Sequence, residues 1–101
     1  MADMSGIDTI WIFNGARSQF PGGVFSTREA AEHWIRDKKL TGTLTRYPLD
    51  VSAYDWAVNC GYFAASKEEH LSSSFIGKFS YASQEHYHYE DGVGGHDLRD
   101  G

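Results

Sequence analysis

A continuous apolar run and an alternation of apolar and polar positions predict strands in the first half of the chain. Thr9–Phe13 is apolar or β-branched at every position, as in a strand covered on both faces. Val24 and Phe25 follow turn signals at 14–15 and 21–23, so we expect them to pair antiparallel with the first strand. Thr43–Tyr47 alternates until Pro48 ends the strand. These segments predict a small, mostly antiparallel sheet.

Two other segments carry apolar residues at helical spacing. Ser26 and Glu29 form a capping box, which predicts a helix over 27–39. A second stripe begins near Ser52 and predicts a short helix that ends at Gly61. Its last member, Cys60, is expected to be a buried, unreactive thiol. The stripes consist of Ala30, Ala31, Trp34 and Ile35 in the first helix, and of Ala53, Trp56, Ala57 and Cys60 in the second.

The second half of the chain is less regular. Residues 64–74 are small and polar, which is typical of a surface loop. Phe75–Phe79 and Glu85–Tyr89 are expected to be further strands, the second at a sheet edge. We therefore predict a single α+β domain over 9–92, with three to five strands and two helices packed on one face. A flexible N-terminus at 1–8 and an acidic tail at 93–101 are expected to flank it.

Composition and charge exclude several classes of function. The 101 residues include nine basic and fourteen acidic side chains, a net charge of −5, and no basic stripe that would bind nucleic acid. No apolar run approaches the ~20 residues that span a bilayer. The single cysteine excludes an internal disulfide, and residues 1–5 lack the features of a signal peptide. We expect a cytoplasmic monomer or homodimer without a cofactor.

A histidine-containing segment near the C-terminus permits two interpretations. If residues 85–91 are extended, His86, His88 and Glu90 lie on one face, where two imidazoles and a carboxylate would suit a metal ion. The alternative is a solvated edge strand whose tyrosines turn inward. A metal-binding protein or metal-dependent enzyme built on these three residues is therefore the second functional hypothesis.

The first hypothesis is a non-catalytic protein-binding module. The sequence contains no nucleophile elbow and no phosphate-binding loop, whereas its C-terminal segment is acidic and rich in tyrosine. Such a segment favours contact with a basic protein partner. The predicted partner-binding residues are Tyr54, Glu85, Tyr87, Tyr89, Glu90 and Asp91.

Six segments, in this order, resemble a family of small bacterial proteins that is classed as a domain of unknown function. They are Trp11–Gly15, Phe20–Ser26, Ala31–Ile35, Leu40–Pro48, Tyr54–Ala57 and Ser83–Glu90. The resemblance covers about residues 9–92 and implies a stand-alone bacterial cytoplasmic protein, without implying an activity or a catalytic residue. In size and charge alone, the chain is also similar to immunity proteins, which neutralise a toxin.

Overall fold

The structure, a computed structural model, describes residues 8–81 and 84–97. The strands are β1 (Thr9–Gly15), β2 (Gly23–Phe25), β3 (Gly42–Pro48), β4 (His86–Glu90) and β5 (Val93–Asp97). The helices are α1 (Arg28–Lys38), α2 (Ala53–Asn59) and α3 (Ser73–Gly77), with a short 3-10 helix at Glu68–Leu71. The flexible N-terminus expected at 1–8 and the last four residues of the expected tail lie outside the described residues, except for Asp8.

The five strands form one sheet in the order β2-β1-β3-β4-β5, and every neighbouring pair is antiparallel. The predicted α+β class is confirmed. Its edges are β2 and β5, so the expectation that the segment at 85–89 is an edge strand is wrong. The choice between monomer and homodimer stays a prediction.

Helix α1 covers one face of the sheet. Thr27 caps its N-terminus by accepting a hydrogen bond from the Ala30 amide at 3.1 Å, so the capping residue is Thr27 and not Ser26. Ala31 and Ile35 are fully buried against the sheet. The core that they form contains Trp11, Phe13, Ala31, Ile35, Leu44, Tyr87 and Tyr89.

The hairpin between β4 and β5 corrects the expected end of the domain. Asp91 and Gly92 have φ angles of 51° and 83°, the two left-handed positions of a tight two-residue turn. The Gly92 amide donates to the Leu40 carbonyl at 2.8 Å, which anchors the turn beside the end of α1. Residues 93–97 therefore form β5, and the prediction of a tail from residue 93 onwards is wrong over this stretch.

Helices α2 and α3 belong to a second cluster, which we call the aromatic cluster. Ser52 caps α2 as predicted, and Ser72 caps α3 by accepting from the Phe75 amide at 3.1 Å. The strand expected at 75–79 is therefore wrong, because a capping serine starts a helix there. The prediction of a buried Cys60 is also wrong: the helix ends at Asn59 and the thiol is exposed. The cluster contains Val51, Trp56, Ala57, Tyr62, Phe63, Phe79 and Tyr81, and the ring contacts of Tyr54 in α2 and Phe75 in α3 with Phe63 add these two side chains to it.

Candidate functional site

The three tyrosines predicted to contact a partner are buried. Tyr54 is 7% exposed and donates its hydroxyl to the His70 carbonyl at 2.9 Å. Tyr87 and Tyr89 are 6% and 4% exposed and lie in the core beneath α1. The expectation that these side chains are surface anchors is therefore wrong. The alternation of β4 turns its tyrosines inward, as the alternative interpretation of this segment held.

Polar groups of α1 satisfy the buried hydroxyl of Tyr89. Tyr89 donates to Glu32 Oε2 at 2.5 Å, and Arg28 Nε donates to the same oxygen at 3.2 Å. A second Arg28 N–H group donates to the Gly95 carbonyl at 2.6 Å. The guanidinium carbon also lies 3.6 Å from the centroid of the Tyr87 ring. These contacts tie β4 and β5 to α1.

Glu85, another predicted partner-binding residue, takes part in a second internal network. Its carboxylate accepts from the Tyr87 hydroxyl and pairs with Arg46 Nη1 at 3.2 Å. Arg46 also donates from Nε to the Thr9 hydroxyl at 2.9 Å. Because its side chain is only 12% exposed and already has two partners, Glu85 is poorly placed to meet another protein.

Two side chains that contact the Glu32 carboxylate, Arg28 and Tyr89, have raised pKa values. Burial raises the pKa of Tyr89 above its ordinary value, and the hydrogen bond to the Glu32 carboxylate raises it further. Burial is the largest single effect on Arg28 and lowers its pKa, but the charge and hydrogen bond of Glu32, together with the two nearby tyrosines, raise the pKa by more, so the net direction is upward. Tyr89 stays neutral and Arg28 stays charged, so neither side chain is poised for general acid–base chemistry.

The opposite side of the sheet, which we call the open face, carries the other half of each strand. The register places Val24, Ile12, Thr45 and His86 in one row across the sheet, and Asn14, Thr43 and His88 in the next. None of the side chains on this face is buried. The open face consists of Ile10, Ile12, Asn14, Val24, Thr43, Thr45, Tyr47, His86, His88 and Glu90.

A cavity of about 350 Å³ lies on the β3 and β4 part of the open face. Gln84, which is 2% exposed, fixes one wall because its side-chain amide donates to the Arg46 carbonyl at 3.1 Å. Tyr81 links the cavity to the aromatic cluster. The cavity is lined by Thr43, Thr45, Tyr47, Ser80, Tyr81, Gln84, His86 and His88.

The two histidines of β4 meet at this cavity. Their ring centroids are 5.4 Å apart and the ring planes are inclined by 71°. Nδ1 of His86 lies 2.7 Å from the backbone carbonyl of Gln84. Since a carbonyl only accepts hydrogen bonds, Nδ1 carries the proton and Nε2 of the neutral ring has a free lone pair.

Glu90 shares the outward side of β4 with His86 and His88, but it does not complete a group of three ligands. Among the side chains that the structure describes, no set of three or more His, Cys, Asp or Glu residues is arranged to hold a metal ion. The structure thus brings the two histidines together and leaves the predicted third ligand outside the group.

Two acids at the end of β4 remain accessible. Glu90 alternates with Tyr89, which contacts α1, so its side chain lies on the open face. Asp91 follows in the hairpin turn, where its amide donates to the Thr41 hydroxyl at 3.0 Å. Both side chains are exposed, and neither forms an ion pair with another described residue.

Several residues of the open face were missed by sequence reasoning. Thr43, Thr45 and Tyr47 were assigned to a strand without a functional role, and Tyr81 was not assigned to any element. The even-odd alternation of β3 carries a usable signal, because it separates Leu44, which is buried, from these outward neighbours. The contribution of Tyr81 depends on tertiary packing, for which the sequence has no local signal.

Comparison with known proteins yields a family assignment only. Within the described part of the chain, every helix is too short or too polar to cross a membrane. No curated protein and no solved structure matches this chain. A family model described as "Domain of unknown function (DUF7710)" matches residues 10–95, which include the whole sheet except the ends of β1 and β5. The match covers far more than half of the sequence, and the chain therefore belongs to this family, as the resemblance to a domain of unknown function predicted.

Proposed function

We propose that this protein is a non-catalytic binding module that engages a basic protein partner through its open face and the adjoining acids of the β4–β5 turn. The observation that carries the proposal is the position of Glu90 and Asp91, which are exposed beside a sheet face on which none of the described side chains is buried. Of the residues predicted to contact the partner, Glu90 and Asp91 remain in the proposed interface. The buried tyrosines and Glu85 are not part of it.

The distribution of charge supports a basic partner. Arg28 and Arg46 are both neutralised by internal carboxylates, so they contribute little to the field outside the protein. Acids also outnumber bases among the exposed side chains of the described residues. The exposed acids are Asp8, Glu29, Asp37, Asp50, Asp55, Glu68, Glu69, Glu90 and Asp91, and the exposed bases are Arg17, Arg36, Lys38, Lys39, Lys67 and Lys78. A negative surface of this kind accelerates encounter with a positive partner.

The size of the open face sets a condition on the complex. Four strands and five residues per strand give an area of about 14 Å by 14 Å, or about 200 Å². A standard interface buries about 800 Å² on each partner, so a stable complex must extend beyond the face. The β4–β5 turn on one side and Tyr81 on the other provide this extension. When this protein covers such an area, the basic surface of the partner is no longer available to other molecules. An immunity-like inhibitor would act in this way.

An affinity capture with three baits tests the proposal. The baits are the wild-type protein, a Glu90→Gln/Asp91→Asn variant, and an Asp37→Asn/Glu69→Gln control with the same change in net charge. Asparagine suits position 91 because it tolerates the left-handed φ of 51° there. Each bait is incubated with extract of the source organism, and the bound proteins are identified by mass spectrometry before and after a salt wash.

We expect wild-type protein and control to retain the same basic protein, and moderate salt to release it because exposed charges are screened. The Glu90→Gln/Asp91→Asn bait should retain much less of it. Equal capture by all three baits would show that the acids of the turn are not part of the interface. A partner with an acidic surface would contradict the proposed chemistry of recognition.

A further inference from the structure

We propose that His86 and His88 form a zinc-binding site in the cavity of the open face. This inference does not depend on the protein-binding proposal, because it concerns a different ligand and rests on the geometry of the two rings. A zinc ion favours imidazole nitrogen and a tetrahedral arrangement of four ligands. The two histidines supply two of these ligands, and the cavity supplies the space for the others.

The separation of the rings fits a shared metal ion. With a Zn–N bond of about 2.1 Å and a ring centroid about 1.1 Å behind the nitrogen, the ion lies about 3.2 Å from each centroid, so a tetrahedral angle separates the centroids by about 5.2 Å. The observed separation is 5.4 Å. The two centroids therefore stand at the distance that a shared ion requires, and rotation of the side chains would turn one nitrogen of each ring toward it while the strand backbone remains in place.

The hydrogen bond of His86 prepares this ring for coordination. Its Nδ1–H group donates to the Gln84 carbonyl, which leaves Nε2 as the ligand atom and fixes the orientation of the ring. Gln84 is itself held by the bond from its side chain to the Arg46 carbonyl. A second-shell backbone carbonyl of this kind is a usual partner of zinc-bound histidine.

The surroundings of the two rings also suit a cation. The described residues that line the cavity include no lysine or arginine, and Glu90 lies on the same outward side of β4. Thr43 lies directly opposite His88 on the neighbouring strand, and Thr45 lies opposite His86. Their hydroxyl groups are placed to hydrogen-bond to water molecules on the ion.

The site differs from a structural zinc centre, which has four protein ligands. With two described ligands, it leaves two positions of the tetrahedron to water or to an incoming donor group. It should therefore bind zinc reversibly and should not be required for folding. This distinguishes the inference from the three-ligand site that the sequence predicts with Glu90.

Calorimetric titration of the tag-free, full-length protein with zinc chloride tests the site. His86→Asn keeps an N–H donor near the position of Nδ1 while it removes Nε2, and His88→Gln replaces an exposed side chain. His33→Asn is the matched control, because His33 is exposed on α1 and lies away from the cavity. Circular dichroism of each variant verifies that the fold is retained.

We expect one zinc ion per chain for the wild type and for His33→Asn. Each of the other two variants should bind at least about tenfold more weakly, since even second-shell changes reduce zinc affinity by this factor. Zinc should raise the melting temperature of the wild type and leave that of His88→Gln unchanged. Binding that persists in both cavity variants, or no binding to the wild type at millimolar zinc, would overturn the inference.

Discussion

The sheet with α1 and the aromatic cluster are stabilised in different ways. In the sheet half, residues far apart in sequence are connected by long-range strand pairing, by the ion pair between Arg46 and Glu85, and by the hydrogen bond from Arg28 to the Gly95 carbonyl. In the aromatic cluster, short helices are held by ring contacts such as that between Phe63 and Phe79, whose centroids are 5.0 Å apart. Short helices gain little stability from their own hydrogen bonds, so the cluster depends on packing.

The two regions also differ in whether their buried polar groups form hydrogen bonds. The sheet half pairs the Tyr89 hydroxyl with a carboxylate. In the aromatic cluster, Trp56 is 1% exposed, and its Nε1–H group has no hydrogen-bond partner among the described residues. An unsatisfied buried donor costs about 1–3 kcal/mol. We infer that the sheet half dominates the stability of the fold, and that the cluster opens at lower free energy.

The largest effect is expected from a cavity in the sheet half. Leu44→Ala should lower the free energy of unfolding by about 3 kcal/mol, because Leu44 is fully buried between β1 and β4 beneath α1. Urea unfolding followed by circular dichroism measures the change. Leu71→Ala is the control for the same substitution at an exposed site, since Leu71 is 64% exposed and the change should cost less than about 0.5 kcal/mol. A loss in Leu44→Ala no larger than that in Leu71→Ala would contradict the inference that the core of the sheet half stabilises the fold.

A smaller effect is expected when one hydroxyl is removed from each region. Tyr89→Phe loses a hydrogen bond to the Glu32 carboxylate and should cost about 2 kcal/mol. Tyr54→Phe loses a bond to the neutral His70 carbonyl and should cost about 1 kcal/mol. Parallel urea titrations compare the two values. If Tyr54→Phe is the more destabilising change, the aromatic cluster contributes more to the free energy of unfolding than we infer.

The smallest effect at neutral pH concerns the titration of Tyr89. Its pKa in the folded state is raised above the ordinary value of 10.0, so the stabilisation is complete below pH 10 and decreases as the pH rises above it. The advantage of wild type over Tyr89→Phe should therefore be constant up to about pH 9 and should shrink by about pH 11. Urea midpoints across this range measure it. A constant difference between the two proteins would show that the hydroxyl titrates alike in the folded and unfolded states.

The sequence predicts the elements whose signals are local and repeated. The apolar stripe around Ala31 and Ile35 locates α1, a continuous run of apolar and β-branched residues locates β1, and alternation locates β3. Ser52 marks the start of α2 because its hydroxyl accepts from the Asp55 amide. In each case the physical cause acts within about one turn of helix or one strand, so the residues themselves carry the information.

Other features depend on distant partners or on signals that are easily overlooked. The Asp91-Gly92 pair is a recognisable hairpin signal, yet the glycines that follow it favoured the interpretation as a tail. The burial of Tyr87 and Tyr89 follows from α1, which packs on their side of the sheet, and from Glu32, which is remote in sequence. Histidines and tyrosines alternate along β4, and this alternation alone does not show which side of the strand packs against a helix. The sequence therefore left open both the metal-binding and the solvated-strand interpretation of the segment.

The most direct test of the proposed function is the association rate with the captured partner. Stopped-flow measurements at low and physiological salt would compare the wild type, Glu90→Gln/Asp91→Asn and Asp37→Asn/Glu69→Gln. We predict that the control associates like the wild type, while the turn variant is slower by up to about tenfold at low salt and depends less on salt. Association of the turn variant at the wild-type rate under both conditions would contradict the account.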